Sequence, residues 1–143
     1  MDWLVQRDDG AVRKARVMVV DDDEFTAKLL RDTLATLGIH NAVLAEDGVD
    51  AIRKLRFARG DFDLLICDLS MPKMDGMSFI GYVRAGKAGC DPEMPILVVT
   101  VSAGAGVVKE AISHGISGYI VKPISLGELE EKLKAALPIT EQS

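Results

Sequence analysis

The stretch Val17-Met18-Val19-Val20-Asp21-Asp22-Asp23 consists of four apolar residues followed at once by three acids. A short apolar run without polar alternation is typical of a strand that is buried on both faces, as strands of parallel sheets are. The loops at the carboxyl ends of the strands in an open α/β sheet carry its functional groups. The stretch therefore predicts a parallel sheet with an acidic site at its carboxyl edge.

The rest of the chain repeats this pattern. Four more apolar runs indicate strands at Ala42–Ala45, Leu64–Cys67, Ile96–Val99 and Tyr119–Val121. Apolar residues at helical spacing follow each run, as in the stretch that begins at Phe25 and the one that begins at Leu126. The first four helical stretches are each followed by a glycine that suits a left-handed helix terminus, namely Gly38, Gly60, Gly86 and Gly115. Five strand–helix pairs in alternation predict a parallel sheet covered by helices on both faces.

Length and composition exclude several classes of protein. A chain of 143 residues, 48% hydrophobic and 27% charged, fits one folded domain. The net charge of −5 and the scattered cations argue against nucleic-acid binding, and no apolar stretch is long enough for a membrane helix. Cys67 and Cys90 lack the spacing of a zinc site, so we expect reduced thiols and a cytoplasmic protein.

The domain itself is expected to occupy residues 16–137. Residues 1–15 are interpreted as an N-terminal extension, either disordered or docked on the domain around Trp3. Residues 138–143 are interpreted as a short C-terminal tail.

Polar residues follow four of the predicted strands. Asp23 precedes a helical stretch, which favours a role as its N-cap. The others are expected to meet at one edge of the sheet, and they are Asp21, Asp22, Asp68, Thr100, Ser102 and Lys122. Carboxylates brought together in this way repel one another unless a cation joins them, and oxygen ligands suit a hard divalent ion. Mg²⁺ fits best, with Mn²⁺ as a possible substitute, because it accepts few carboxylates and binds phosphate oxygens.

This set of residues suits phosphoryl transfer. A phosphoryl group in transfer spreads negative charge over three oxygens and needs cations, a hydrogen-bond donor and an in-line nucleophile. Asp68 is predicted to be the nucleophile, with Lys122 neutralising the oxygens and Thr100 donating its hydroxyl.

Five motifs, in order along the chain, resemble the receiver domain of response regulators, the flavodoxin-like family that includes the chemotaxis regulators. They are Val-Val-Asp-Asp-Asp at 19–23, Ala-Glu-Asp-Gly at 45–48, Cys-Asp-Leu-Ser-Met-Pro-Lys-Met-Asp-Gly at 67–76, Val-Val-Thr at 98–100 and Lys-Pro at 122–123. The resemblance implies a flavodoxin-like (βα)5 three-layer sandwich whose five-stranded parallel sheet has the order 2-1-3-4-5.

The resemblance also implies roles for single residues. Asp21 and Asp22 match the acidic pair that holds magnesium, Asp68 matches the phosphoacceptor and metal ligand, and the backbone carbonyl of Ser70 would complete the metal site. These roles would make the chain a phosphoacceptor signalling protein that assists its own phosphorylation, rather than an enzyme of the ordinary kind.

A second group of matches concerns switching. Thr100 matches the switch hydroxyl and Tyr119 the aromatic that rotates inward when this hydroxyl moves toward the phosphate. Lys122 matches the lysine that pairs with the phosphate, and a cis bond is expected between Lys122 and Pro123. The surface of the fourth helix, fifth strand and fifth helix would then change to signal to a partner.

Three features depart from the family or are left without a role. Val101 stands where the family often has alanine or glycine, and its branched side chain is expected to narrow access to the phosphate. Ser102, also close to the phosphate, is too short to orient an attacking water. The segment Ala85–Pro95 is slightly longer than usual and has no predicted function.

The expected partners are a sensor histidine kinase or a histidine phosphotransfer protein, together with an unidentified downstream protein. The kinase-docking face is expected at Phe25–Leu29 and Ile124–Leu126. A stand-alone regulator, a phosphorelay intermediate and a receiver fragment of a larger regulator all remain open. Three other classes of protein fit the sequence less well. A haloacid dehalogenase-type hydrolase would need a carboxylate where Ser70 stands, and a pseudo-receiver would lack part of the acidic site. A flavin-binding domain would have phosphate-cradling residues in place of the acids after Val20.

Overall fold

A computed structural model describes residues 3–6, 10–59, 61–71, 73–101 and 104–137. The strands are β1 Leu4–Gln6, β2 Val12–Lys14, β3 Val17–Val20, β4 Val43–Ala45, β5 Leu64–Cys67, β6 Ile96–Thr100 and β7 Gly118–Val121. The helices are α1 Glu24–Thr36, α2 Gly48–Phe57, α3 Gly76–Arg84, α4 Ala105–Ser113 and α5 Leu126–Ala136. No helix in the described part of the chain is long and apolar enough to cross a membrane.

Strands β3 to β7 form one parallel sheet in the order β4-β3-β5-β6-β7. When these five strands are counted by themselves, this is the order 2-1-3-4-5. The flavodoxin-like sandwich expected from the resemblance is therefore confirmed. The order places β3 and β5 side by side at the centre, with Val20 paired to Cys67, so the residues that follow the two strands are neighbours.

Alternation along the strands divides the core between the two faces of the sheet. Val17 and Val19 pack in a buried cluster with leucines of α1 and α5, whereas Met18 and Val20 pack in a second cluster with residues of α2 and α3. Successive side chains of a strand point to opposite faces, so four apolar residues in a row supply both layers. Helix α4 differs from the other four, because Ala111 is its only buried residue.

The element boundaries differ slightly from those predicted. Strand β4 begins one residue later than expected, β6 includes Thr100, and β7 begins at Gly118. Among the predicted terminal glycines, positive φ angles are found at Gly38, Gly86 and Gly115. The remaining predicted glycine, Gly60, lies outside the described residues, as does the tail at 138–143.

The N-terminal extension forms an antiparallel hairpin, β1 and β2, that the sequence did not predict. Of the two expectations left open for it, docking is the one observed. Trp3 is buried, and its indole Nε1 donates a hydrogen bond of 2.8 Å to the carbonyl of Leu37 at the end of α1. Arg13 forms paired hydrogen bonds of 2.9 and 3.0 Å to the carboxylate of Asp63. The hairpin thus shares one core cluster with the sheet, to which Trp3 and Val5 both contribute.

A close backbone approach fixes the loop between β5 and α3. Gly76 is the first residue of α3, and its amide donates a hydrogen bond of 3.0 Å to the carbonyl of Leu69. A Cβ atom at Gly76 would lie 2.1 Å from the carbonyl oxygen of Asp68 and 2.6 Å from the Cα of Leu69. Both atoms belong to the backbone and cannot move aside without displacing the end of β5.

We predict that Gly76→Ala lowers the free energy of unfolding by about 2 kcal/mol or more, because an inserted methyl group forces a backbone shift. Gly81→Ala is the matched control, since Gly81 lies in the same helix and a Cβ there would meet nothing within 4 Å. The control should gain about 0.5 to 1 kcal/mol from helix propensity. Urea unfolding of both variants measures the difference, and equal stabilities would contradict the steric argument.

Candidate functional site

The site lies at the carboxyl edge of the sheet, where β3 and β5 end next to each other. Asp21 follows β3 and Asp68 follows β5, and both are buried, whereas Asp22 is exposed. One carboxylate oxygen from each of Asp21, Asp22 and Asp68 lies within 4.8 Å of the other two. The three acids predicted to converge are therefore brought together.

Lys122 reaches this group of acids from the end of β7. Its Nζ lies 3.1 Å from Oδ2 of Asp21 and 3.6 Å from Oδ2 of Asp68. The backbone amide of Lys122 donates a hydrogen bond of 2.8 Å to the carbonyl of Thr100, and the bond between Lys122 and Pro123 is cis. One ammonium group is thus placed between two buried carboxylates that belong to different strands.

Backbone amides hold both buried carboxylates in place. Oδ1 of Asp21 accepts a hydrogen bond of 2.9 Å from the amide of Asp23, and Oδ1 of Asp68 accepts one of 3.2 Å from the amide of Ser70. Ser70 itself is exposed. Each carboxylate therefore keeps its second oxygen, Oδ2, on the side where Lys122 lies.

The electrostatics of the site favour an additional cation. Burial raises the pKa of Asp68, and the charges of Asp21 and Asp22 act in the same direction. The Ser70 amide and the Lys122 ammonium oppose this increase without cancelling it. Lys122 pairs with two of the three clustered carboxylates, and three hard oxygen donors fit a divalent ion such as Mg²⁺.

Asp23, the third acid of the opening stretch, has a structural role. It is the N-cap of α1, where its side chain accepts hydrogen bonds from the amide and the hydroxyl of Thr26. The prediction that Asp23 caps this helix is confirmed. The consecutive acids thus divide into a buried acid, an exposed acid and a helix cap.

Thr100 and Tyr119 lie on neighbouring strands of the sheet and border one cavity. Thr100 is buried at the end of β6, and Tyr119 is 36% exposed. The cavity has a volume of about 10 Å³ and is lined by Leu69, Val98, Thr100, Val107, Val108, Ala111 and Tyr119. A space of this size holds about one water molecule, so the tyrosine ring cannot enter it unless Thr100 or α4 moves.

Val101, the residue that departs from the family, is 69% exposed where the chain leaves β6. Its isopropyl group is therefore not part of the core. Ser102, named with it as a residue close to the phosphate, lies outside the described residues.

A shallow groove lies between α1 and the start of α5. Its volume is about 390 Å³, and its lining is mostly apolar, with Leu29, Leu30, Ile124 and Leu126 among the lining residues. Phe25, which is 75% exposed, lies one helical turn before Leu29. The segments expected to form the kinase-docking face are therefore close together on the surface.

The motif at 45–48 supports the site, a role that the sequence alone did not assign. Asp47 caps α2 by accepting a hydrogen bond of 2.8 Å from the amide of Asp50. Its other oxygen lies 3.8 Å from Nζ of Lys73, in the loop that follows Asp68. A Cβ at Gly48 would lie 2.9 Å from Met74 in that same loop. In the sequence, this role was indicated only by an acid and a glycine that follow a predicted strand.

Known proteins share this architecture. The chemotaxis protein CheY1 of Helicobacter pylori is 37% identical over 122 residues, which cover 85% of this chain and 96% of the relative. The structure of the chemotaxis protein CheY4 of Vibrio cholerae matches with a TM-score of 0.76 at 32% identity, covering 86% of this chain and 98% of that one.

A third similar protein is the receiver domain of the sensor histidine kinase PA1611 from Pseudomonas aeruginosa PAO1. It matches with a TM-score of 0.73 at 26% identity, covering 85% of this chain and 96% of that one, and its structure has a magnesium ion coordinated in the active site cleft. The family model of the response regulator receiver domain matches residues 17–134. On this match and on the chemotaxis relatives, the chain belongs to the response regulator receiver domain family and is of the chemotaxis-regulator type.

Proposed function

We propose that the chain receives a phosphoryl group on Asp68 from a phosphohistidine of a sensor histidine kinase or of a histidine phosphotransfer protein. In this step an oxygen of Asp68 bonds to phosphorus while the P–N bond of the phosphohistidine breaks, and the electron pair of that bond remains on the imidazole. The observation that carries the proposal is the position of the Lys122 ammonium, 3.1 Å from Asp21 and 3.6 Å from Asp68. The ammonium group can exchange one carboxylate partner for phosphoryl oxygens while it stays in the site.

The proposed metal ligands are the carboxylates of Asp21, Asp22 and Asp68 and the backbone carbonyl of Ser70. When bound, Mg²⁺ or Mn²⁺ would neutralise oxygens of the incoming phosphoryl group and of the acids. The close approach of the three carboxylates supports this assignment, because two of them are buried.

The proposed switch begins at Thr100. A phosphoryl group on Asp68 adds acceptor oxygens, toward which the Thr100 hydroxyl would move to donate a hydrogen bond. This movement would enlarge the small cavity beside Tyr119 and let its ring turn inward. The surface of α4, β7 and α5 would change as a result, and a downstream protein would recognise the change.

The groove that contains Leu29 and Leu126 is the proposed docking face for the phosphodonor. Its lining is mainly apolar, and the exposed Phe25 lies one helical turn before Leu29 on the same helix. Ile124, at the other wall of the groove, is only two residues from Lys122. A helix of a phosphodonor placed in this groove could bring its histidine toward Asp68.

A second candidate is a phosphorelay intermediate that passes the phosphoryl group on to another histidine. The similarity to a receiver domain that belongs to a sensor histidine kinase favours this alternative. Transfer of label from the phosphorylated chain to a phosphotransfer protein would separate it from a regulator that acts through its own surface.

We predict that acetyl phosphate labels the chain in the presence of Mg²⁺ and that Asp68→Asn abolishes the label, because an amide is a far weaker nucleophile. Asp32→Asn is the matched control, since its carboxylate is exposed on α1 and away from the acids of the site. Intact-protein mass spectrometry gives the amount of label. Label on the Asp68→Asn protein would contradict the phosphoacceptor assignment, and equal labelling after chelation would contradict the role of the metal.

We predict that Val101→Ala shortens the lifetime of the phosphorylated protein several-fold, because a smaller side chain gives water easier access to phosphorus. Val49→Ala is the control, since this valine is 52% exposed on α2 and equally free of core contacts. The decay of label after removal of acetyl phosphate gives both lifetimes. A Val101→Ala lifetime equal to that of the wild type would show that this residue does not limit access.

We predict that beryllofluoride, a phosphoryl mimic, changes amide hydrogen exchange within residues 107–137. Helix α4 should respond most, because it has one buried residue and no side-chain cap at Gly104. The Asp68→Asn protein serves as the control and should show the same exchange with and without the mimic. An unchanged pattern in the wild type would exclude the proposed switch.

A further inference from the structure

Helix α2 exposes large apolar side chains on a surface that the phosphoacceptor site does not use. Phe57 is 92% exposed and Val49 is 52% exposed. These residues and Arg53 are spaced four apart, so they run along one side of the helix. The exposure of these two apolar side chains to water costs solvation free energy, which a bound partner would recover.

The same helix carries a local excess of positive charge in a chain of net charge −5. Residues 51–60 contain four cationic residues and no acid. Two of them, Arg53 and Lys54, share the carboxylate of Asp50. The other two, Arg56 and Arg59, form no ion pair with any residue that the structure describes. Arg56 and Arg59 are both exposed and close to Phe57 in the sequence, so their remaining N–H donors can meet carboxylates of a partner.

The segment after α3, which had no predicted function, packs against this end of α2. A Cβ at Gly89 would lie 2.5 Å from Cγ of Arg56, and Gly89 has a φ of +82°. The guanidinium of Arg56 donates a hydrogen bond of 2.8 Å to the carbonyl of Lys87. Nζ of Lys87 lies 5.9 Å from the ring centre of Tyr82, which is 42% exposed. The segment thus adds the cation of Lys87 to the surface around Arg56, and the last turns of α3 add the aromatic ring of Tyr82.

We propose that this surface, the α2 patch formed by Arg53, Arg56, Phe57, Arg59, Tyr82 and Lys87, binds an acidic amphipathic segment of a partner protein. Apolar side chains of the segment would cover Phe57, and its carboxylates would pair with Arg56 and Arg59. The planar guanidinium group can donate two parallel hydrogen bonds to a carboxylate, which makes arginine well suited to this recognition.

Charge at the border of the patch favours a short acidic segment over an extended polyanion. Asp91 and Glu93 are exposed on the segment that follows Gly89. A nucleic acid or an anionic membrane would extend beyond the patch and meet these acids, together with the net negative charge of the chain. A short protein segment can be confined to the patch and avoid these acids.

Binding at the α2 patch does not depend on the proposed phosphoacceptor function. In the described structure, none of its six residues forms an ion pair with Asp21, Asp22 or Asp68, and none belongs to α4, β7 or α5. The partner would therefore remain bound in both phosphorylation states, while the other surface changes.

The test uses the full chain and a synthetic helical peptide in which glutamates and leucines recur at helical spacing around one tryptophan. We expect amide chemical shifts to change at Arg53–Arg59 and at Lys87–Gly89, with the same affinity in the presence and absence of beryllofluoride. Combined Arg56→Glu and Arg59→Glu substitutions should weaken binding by about tenfold or more, which corresponds to ~1.4 kcal/mol. Phe57→Ala should weaken it without affecting folding, because this ring is 92% exposed.

The combined Lys28→Glu and Lys109→Glu substitutions, at two exposed positions elsewhere, control for the change in net charge and should leave the peptide affinity nearly unchanged. The proposal would be overturned if the control variant weakened peptide binding equally, or if a peptide with glutamine in place of glutamate bound equally well. An affinity that changes several-fold with beryllofluoride would also contradict it. So would arginine-dependent binding to phosphatidylglycerol vesicles or to a DNA duplex that is tighter than binding to the peptide.

Discussion

The position of one ammonium group between two buried carboxylates determines how the rest of the site is built. Nζ of Lys122 lies within 3.6 Å of both Asp21 and Asp68, which follow adjacent strands. Because an unpaired buried charge is costly, this contact constrains the ends of β3, β5 and β7 together. The acids still outnumber the cation, so the site can accept further positive charge. A phosphoryl group on Asp68 would then bring oxygens with which Lys122 can pair in place of a carboxylate.

Two helices pack closely on described residues of the loop that follows Asp68. Gly76 allows the start of α3 to lie against the carbonyl of Asp68, and Gly48 allows α2 to lie against Met74 of the same loop. The amide of Ser70 then reaches the Asp68 carboxylate at 3.2 Å. The small size of both glycines therefore lets two helix starts lie close to the loop that carries this amide.

The sequence predicted the parts of the molecule that repeat a local pattern. Apolar runs ending in acids predicted the sheet and the convergence of Asp21, Asp22 and Asp68, because strand order and parallel direction place such ends together. The hairpin that contains Trp3 was not predicted, since each of its strands has three residues, and its position depends on distant partners such as Leu37 and Asp63. Contacts of this kind join residues far apart in the chain and leave no periodic signal.

Helix α4 shows how a signal could pass through a well-packed domain. Its C-terminal end is fixed by Arg84, whose guanidinium donates hydrogen bonds of 2.6 Å to the carbonyl of His114 and 3.2 Å to that of Gly115. Its N-terminal end has no side-chain cap, and Val107 there is 42% exposed beside the small cavity next to Thr100. A helix held at one end and weakly packed at the other moves most at its free end, and in α4 that end lies nearest to Thr100. Displacement of Thr100 would therefore act on the least stable part of the helix while the sheet remains in place.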